Sequence, residues 1–310
     1  MADIKINGVT PTGIYVGSTA ASAVYYGNAK VWEAAPSMAA NTLKFKFSDT
    51  SYDPSSLTTL TGATWTQISS EPNVWLWDAS NVVETNWSSA FLQKWTTSSN
   101  NVEIIDAGAL TTPLIAGQTA SPYNAMFKGN TYLVSVCPLS IPNATDCSGL
   151  LNRCTNLAGA VSISCPSATS IKDMFGGNNT TSNTAMTSAT ITTSSSLVAA
   201  QQLFRGCTAL QSFSISNTSS VENFGNLCIG CTSLQTVPLL DTSAATTVTN
   251  MFYNCYNVAS GALALYTQMS TQTTPPTTYT DCFNNCGSST TTGAAELAQI
   301  PTSWGGTLSS

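Results

Sequence analysis

Three copies of one short unit follow each other in the chain: LFRGCTAL at 203–210, LCIGCTSL at 227–234 and MFYNCYNV at 251–258. Each copy has a cysteine as its fifth residue, so Cys207, Cys231 and Cys255 recur every 24 residues. A fixed period of this size is typical of a solenoid, in which successive turns of chain stack and share one core.

The register extends in both directions. The second apolar residue of each unit, named here the core position, is Phe127, Leu151, Phe175, Phe204, Cys228, Phe252 and Phe283. Three residues later comes the ladder position, always Asn or Cys: Asn130, Cys154, Asn178, Cys207, Cys231, Cys255 and Cys286. Two intervals are longer than the period, by five and seven residues, and such insertions map to loops on one face of a stack. The pattern predicts about seven coils over residues 120–290.

Apolar residues that alternate along the chain predict the strands of these coils. Leu210, Phe213 and Ile215 form one such set, and the segment 234–239 repeats it as far as Leu239. A single coil cannot bury its apolar face alone, so coils must stack. We expect the Asn or Cys at each bend to meet backbone groups that the turn leaves exposed.

These residues resemble the BspA-like leucine-rich repeats, whose pattern is a Met-Phe-x-x-Cys-x-x-Leu turn, a Pro-Leu strand and an Asp-Thr-Ser segment before the next Met-Phe. The most similar stretch has CTSL at 231–234, VPL at 237–239, DTS at 241–243 and NMF at 250–252. The likeness is weakest between Phe175 and Phe204, where Thr181 stands in place of leucine. The resemblance implies a leucine-rich-repeat solenoid, mainly β with short helical turns.

Composition narrows the class of protein. Only 8% of residues are charged, against about a quarter in average proteins, and the net charge is −6. No basic stretch is present, which argues against a nucleic-acid partner.

No apolar run reaches the roughly 18 residues of a membrane span, so we expect no membrane insertion. Residues 1–6 lack the basic start and apolar core of a signal peptide, which predicts a chain made in the host cytoplasm and released by another route, such as inside a virion.

Ten cysteines raise the alternative of a disulfide framework. Five occupy the ladder position and form the predicted structural ladder: Cys154, Cys207, Cys231, Cys255 and Cys286. Neighbouring coils lie about 4.8 Å apart, which does not exclude a bridge, but stacked side chains point the same way. Because cysteine is among the most buried residue types, we predict buried free thiols.

Residues 1–34 have short apolar stretches at 4–9, 14–18 and 23–32, separated by glycine turns, and predict a small β unit. The strings VGSTA at 16–20 and VYYGNAKVW at 24–32 resemble the N-terminal unit of structural proteins from tailed phages, particularly gut phages. The resemblance implies docking to other virion proteins; a β-hairpin cap is the alternative. Small residues at 35–40 predict a linker.

Residues 41–119 are rich in tryptophan, and we expect them to cap the open N-terminal end of the stack. The tryptophans are Trp65, Trp75, Trp77, Trp87 and Trp95. We expect them to pack in the core; an aromatic platform for carbohydrate is the alternative. Ser88–Trp95 predicts a short helix, and Ala294–Trp304 begins with another in the C-terminal cap and tail at 291–310.

Little in the sequence points to catalysis. The chain has no histidine, which excludes Ser-His-Asp and Cys-His arrangements. Cys228 with Cys231 and Cys282 with Cys286 have spacings seen in zinc sites, but the repeat accounts for both pairs. Turn or helix capping explains the recurring aspartates better than carboxylate-pair catalysis does: Asp146, Asp173, Asp241 and Asp281. We predict no enzyme activity, no metal and no cofactor.

Together these features predict a structural phage virion protein, a head or tail fibre or a capsid decoration at the virion surface. Residues 1–34 dock, and the solenoid faces outward for host attachment. Polar side chains beside the strands are candidate contacts for a host-surface glycan or protein: Gln211, Ser212, Gln235 and Thr236. Low charge suits weak contacts multiplied over many copies, and virion symmetry favours a homo-oligomer, dimer or trimer. The alternatives are a bacterial BspA-like surface adhesin and a polysaccharide depolymerase on a β scaffold.

Overall fold

The structure of the chain is a computed structural model that describes residues 15–16, 19–20, 23–26, 29–33, 38–57, 60–82, 90–91, 93–96, 100–111, 126–176 and 183–308. It is mainly β, with few helices. The chain divides into two compact units, Met1–Met38 and Ala39–Ser310. The Trp-rich segment, the repeats and the C-terminal segment therefore belong to the same unit.

In the first unit, two short antiparallel strand pairs are described. Strand β1 (Tyr15–Val16) pairs with β2 (Thr19–Ala20), and β3 (Ala23–Tyr26) pairs with β4 (Ala29–Glu33). Two residues connect the strands of each pair, a length typical of β-hairpins. The predicted apolar stretch at 4–9 and the linker residues 35–37 lie outside the described residues.

The second unit begins with a five-stranded sheet. Its strands, in the order β6-β7-β5-β8-β9, are β5 (Thr42–Phe47), β6 (Thr64–Gln67), β7 (Val74–Asp78), β8 (Val102–Ala107) and β9 (Leu133–Val136). All neighbours pair antiparallel except β8 and β9, which run parallel. Because β9 follows the core position Phe127, this sheet joins the Trp-rich segment to the repeats.

The repeats continue in a second sheet of four strands. These are β10 (Leu139–Ser140), β11 (Ala158–Ser164), β12 (Ala185–Thr192) and β13 (Ser212–Ile215), which pair in chain order and all run parallel. Their register aligns Val161, Ala189 and Phe213 on the buried face. This arrangement is a β-solenoid of about three turns, which confirms the predicted mainly β fold built from stacked coils.

The predicted strand at 234–239 does not form. Leu239 is 67% exposed, and the next residue, Leu240, is buried instead. Pro238 has no N–H to donate to a strand ladder. The Leu240 carbonyl accepts from the side-chain Nε2 of Gln268 at 2.6 Å, so a helix residue takes the place of a strand partner. The predicted alternation of this coil is therefore wrong from Pro238 onward.

The described part of the chain has two α-helices, both near its C-terminal end. Helix α1 (Ala262–Thr271) occupies the longer interval after Phe252 and buries Leu265 and Met269. Helix α2 (Thr291–Leu297) begins three residues before the predicted Ala294 and is capped by the Thr290 side chain. Two short 3-10 helices are Pro54–Ser56 and Thr302–Trp304. Within the ranges that the structure describes, no helix combines the length and the apolar character that crossing a membrane requires.

Left-handed backbone conformations recur on both sides of the core position. Two residues before it, φ lies between 53° and 70° at Gly149, Asp173, Gln202, Asn226, Asn250 and Asp281. Two residues after it, φ lies between 60° and 76° at Gly129, Arg153, Gly206, Gly230, Asn254 and Asn285. Gly, Asn and Asp adopt this conformation at the lowest cost, and ten of these twelve places carry one of them. The turns of the coils are thus encoded by residue type as well as by apolar spacing.

Candidate functional site

Backbone hydrogen bonds link the core positions of successive coils. Each N–H donates to a carbonyl of the next coil at 2.8–3.1 Å: Phe127 to Leu150, Leu151 to Met174, Phe175 to Leu203, Phe204 to Leu227, Cys228 to Met251 and Phe252 to Cys282. The side chains at the core positions are fully buried. Neighbouring rings stack, with centroids 5.5 Å apart for Phe175 and Phe204. These side chains form one continuous core, named here the spine.

The spine starts one coil earlier than the repeat pattern predicts. The Phe91 N–H donates to the Met126 carbonyl at 3.2 Å, and the Phe91 ring stacks on Phe127 with centroids 5.3 Å apart. Gln93, two residues on, has the same left-handed conformation, with φ of 51°. The predicted helix over Ser88–Trp95 is wrong at its described residues, which form turns and bends. The reason is that the Phe91 N–H bonds across to the next coil instead of along a helix.

The tryptophans of this segment belong to the core. Trp75, Trp77 and Trp95 are buried, and the half-buried Trp65 packs against them. Trp87 lies outside the described residues. The predicted core packing, rather than a carbohydrate platform, therefore accounts for the four described indole rings of this segment.

Ladder-position side chains donate to the core-position carbonyl of the preceding coil. The Sγ–O distances are 3.1 Å for Cys154 to Phe127, 3.8 Å for Cys207 to Phe175, 3.1 Å for Cys231 to Phe204 and 3.1 Å for Cys255 to Cys228. Asn130 makes the same contact through its amide, which donates to the Phe91 carbonyl at 2.7 Å. Cys286, in the last of these coils, is also buried. Asn and Cys share the position because both are small donors that can reach a buried carbonyl.

In the coil with the five-residue insertion, the ladder position is Asn183 rather than Asn178. Asn183 is fully buried, and its Nδ2 donates to the Leu151 carbonyl at 3.1 Å, as the ladder cysteines do in other coils. Three residues later, Met186 is buried where other coils have leucine. The additional residues therefore precede the ladder position, and the prediction of Asn178 as the ladder residue of this coil is wrong. Asn178 and Thr181 themselves lie outside the described residues.

The thiols are suited to packing rather than to chemistry. All ten cysteines are free, nine of them are buried, and Cys137 is half-buried. Burial raises the pKa of Cys154 to about 12 and the pKa of Cys228 to about 11, because a buried thiolate loses its solvation. Neutral thiols are poor nucleophiles and poor metal ligands. Within the described ranges, no group of three or more His, Cys, Asp and Glu side chains is placed to hold a metal ion.

The recurring aspartates shape turns. The carboxylates of Asp146 and Asp241 accept from the backbone N–H two residues ahead, at 2.8 and 3.0 Å, which is the geometry of an Asx-turn. Asp173 and Asp281 occupy left-handed positions, with φ of 53° and 54°. Turn formation therefore accounts for all four.

The four predicted ligand contacts lie together on two neighbouring coils. The Gln235 N–H donates to the Gln211 carbonyl at 3.1 Å, and Ser212 and Thr236 follow at equivalent places. All four residues are exposed. They provide a polar surface that includes Ser212, the first residue of β13.

A groove that the repeat pattern does not predict crosses three successive coils. It has a volume of about 260 Å³ and is lined by Gly206, Thr208, Ile229, Gly230, Thr232, Tyr253, Asn254 and Tyr256. These residues flank the ladder positions Cys207, Cys231 and Cys255. All except Gly206 are half-buried, so the groove is open to solvent. The signal in the sequence is a pair of glycines spaced 24 residues apart, Gly206 and Gly230. The next coil then has tyrosines at 253 and 256, close to the equivalent position 254.

Side-chain size explains why the groove lies at these coils. Gly206 and Gly230 leave the space empty, and a Cβ on Gly230 would still lie 3.9 Å from the Gly206 Cα. At the equivalent place in an earlier coil, a Cβ on Gly129 would lie 2.8 Å from the Gln93 side chain, which covers it. The following coil has Arg153 at that place. This place therefore lacks a covering side chain at Gly206 and Gly230, whereas Asn254 and Asn285 occupy it in the later coils.

Comparison of the chain with known protein families, with curated protein sequences and with solved structures finds no match in any of the three. The likeness to BspA-like repeats and to phage N-terminal units rests on the residues quoted from the sequence.

Proposed function

We propose that this chain is a structural protein of a tailed-phage virion, a head or tail fibre or a capsid decoration, exposed at the virion surface. It docks to other virion proteins through residues 1–34 and presents its solenoid outward for attachment to the host. The observation that carries the proposal is the spine, a continuous buried stack from Phe91 to Phe283. Such a stack is a stiff support for a binding surface, because each coil is held by bonds to its neighbours.

We further infer that residues 120–290 form about seven coils of the BspA-like leucine-rich-repeat type. Three observations support this assignment: the backbone bonds between core positions, the buried Asn or Cys at the ladder position, and the left-handed residues on both sides. Phe91 adds an earlier core position within the Trp-rich segment.

The surface chemistry agrees with an outward-facing role. Only 8% of residues are charged, and the outer face of the parallel sheet aligns the hydroxyl side chains of Ser162, Thr190 and Ser214. Few charges mean little repulsion between copies at symmetric sites. Weak contacts then add up over a homo-oligomer, dimer or trimer, and over the particle.

The proposal assigns no catalytic role. The groups that could carry chemistry serve the fold instead: the described thiols are mostly buried and neutral, and the recurring aspartates form turns. A host-surface glycan or protein is bound rather than cleaved.

Immunogold electron microscopy tests where the protein is located. The sample is phage particles purified from a culture whose DNA encodes the chain. We expect label at regular sites on the head or tail. Label confined to the bacterial envelope, with none on particles, would contradict the proposal and favour a bacterial adhesin. The purified chain, incubated with host polysaccharide, should release no new reducing ends; release would favour a polysaccharide depolymerase.

A further inference from the structure

We propose that the groove between Gly206 and Tyr256 binds a single neutral sugar ring. This inference rests on the proposed attachment function for its biological role and deepens it, because it names the chemical class of the ligand and the residues that hold it. It also moves the contact site from the exposed row at Gln211 and Gln235 to a solvent-open groove on the same coils.

Glycine gives the groove its room. Gly206 and Gly230 both have φ of 74°, and without side chains they let the ligand approach the backbone closely. The volume of about 260 Å³ lies just below the range of about 300–1,000 Å³ for sites that enclose drug-sized ligands. A groove of this size holds one ring and leaves the rest of an oligosaccharide outside.

Two tyrosines supply the apolar surface that a sugar requires. Tyr253 follows the core position Phe252, and Tyr256 follows the ladder position Cys255, so both stand on one well-anchored turn. Both side chains are half-buried, which leaves part of each ring open to a ligand. A pyranose has an apolar C–H face, and tyrosine offers a large, rigid contact area at a low entropy cost.

Polar groups beside the rings match hydroxyls, which both donate and accept. The Thr232 hydroxyl donates to the Thr208 carbonyl at 3.3 Å, so its oxygen is oriented to accept. The Asn254 Oδ1 accepts from Asn285 Nδ2 at 2.9 Å, so the Asn254 amide nitrogen is oriented to donate. Contacts from neighbouring coils thus hold an acceptor and a donor in place before the ligand arrives.

The lining selects against charged ligands. None of the eight lining residues is charged. A carboxylate or phosphate in such a site would lose solvation without gaining a charged partner. Uronic and sialic acids should therefore bind more weakly than neutral sugars.

Saturation-transfer difference NMR with the full chain tests the proposal. The probes are methyl α-mannoside, methyl β-glucoside, methyl β-galactoside and N-acetylglucosamine, with glucuronic acid and N-acetylneuraminic acid as charged comparisons. We expect transfer to at least one neutral probe, strongest at its ring C–H protons, and none to the charged pair. Transfer to no neutral probe, or equal transfer to the charged probes, would overturn the proposal.

Matched variants locate the binding. Gly230→Asn should abolish transfer because the new side chain fills the groove, and asparagine suits the backbone there, since Asn254 occupies the equivalent place with φ of 60°. Tyr256→Ala removes one of the two rings and should weaken binding about tenfold. Gln235→Ala, on the exposed row, is the control and should leave binding unchanged. Loss with Gln235→Ala but not with Gly230→Asn would refute the groove.

Two readouts keep this inference separate from the proposed function. Thermal unfolding of each variant shows whether the fold is intact; if Gly230→Asn fails to fold, the half-buried Tyr256→Ala still decides the question. The second readout is the immunogold labelling of particles. A chain that binds sugar but is absent from particles would contradict the virion proposal and support the sugar site. A particle protein that binds no neutral sugar would do the reverse.

Discussion

The two ends of the spine are covered by different structures. At the N-terminal end, the Phe91 ring is surrounded by Phe45, Trp77 and Trp95, with centroids 4.9–5.6 Å away. These rings come from a five-stranded sheet and the turns beside it. The first coil is therefore covered by a large aromatic cluster from many elements.

At the C-terminal end the cover is much smaller. The Phe283 N–H donates to the Trp304 carbonyl at 2.9 Å, and the Trp304 ring stacks on Tyr279 with centroids 4.2 Å apart. Helix α2 leads into this segment and contributes the buried Leu297. A stack therefore needs apolar cover and a partner for its last backbone groups, and two very different local structures meet this need.

The largest loss of stability should come from alkaline pH. It should arise in the repeats and not in the N-terminal cover, because the first cysteine of the chain is Cys137. Burial raises the pKa of Cys154 from its ordinary value near 9 to about 12. The folded chain thus holds a proton that the unfolded chain releases, so stability is full below pH 9 and falls as pH rises toward 12. At about 1.4 kcal/mol per tenfold difference in proton affinity, Cys154 alone costs about 4 kcal/mol by pH 12.

Thermal unfolding followed by circular dichroism between pH 8 and pH 12 measures this effect. Cys154→Ala is the matched variant and should show a shallower fall with pH, because one buried thiol is missing. A midpoint that stays constant up to pH 12 would show that the thiols are not buried as described.

Phe91→Ala tests the N-terminal cover. Removing a fully buried ring that touches several others should lower the free energy of unfolding by about 3–5 kcal/mol. Urea titration followed by tryptophan fluorescence measures it, with Phe91→Leu as the milder apolar comparison, which should lose less. A loss below about 1 kcal/mol would mean that the spine begins at Phe127 after all.

Trp304→Ala tests the C-terminal cover and should cost about 3 kcal/mol, somewhat less than Phe91→Ala because the smaller structure can relax around the gap. We expect the loss to be local. Hydrogen exchange should speed up around Cys282–Cys286 while β5 and β7 stay protected. Equal acceleration at both ends would show that the ends are not independent; Trp304→Phe is the milder comparison.

Glu296→Gln should have the smallest effect, about 1 kcal/mol. The Glu296 carboxylate accepts from the N–H groups of Gly261 and Leu263, at 3.2 and 3.1 Å, and so caps the first turn of α1. The amide keeps one acceptor but loses the negative charge that favours a helix N-terminus. Chemical denaturation measures the change, and Glu222→Gln at an exposed site is the control. No difference between the two variants would remove the capping role.

The sequence predicts the period, the core positions and the ladder cysteines because these follow from spacing alone. Apolar residues at a fixed interval must share a face when coils stack. Prediction fails where a second constraint intervenes. Pro238 removes a donor and leaves Leu239 exposed, and Asn183 replaces Asn178 because spacing does not say on which side of a turn extra residues enter.

Phe91 and the groove were missed for different reasons. Phe91 lies 36 residues before Phe127, so no period marks it, and only the stacking of the two rings reveals its place. The groove depends on what is lacking at Gly206 and Gly230. A pattern search that counts apolar side chains gives no weight to an empty place, although the 24-residue spacing of the two glycines carries the information.

The uniform backbone hydrogen bonding between Phe204 and Phe252 makes the length of the stack adjustable. Each 24-residue unit there receives and passes on the same backbone bonds, so one unit could be duplicated or removed without disturbing either terminal cover. The distance between the covers would change by one coil spacing, about 4.8 Å. The number of coils can therefore change while the structures that cover the two ends stay the same.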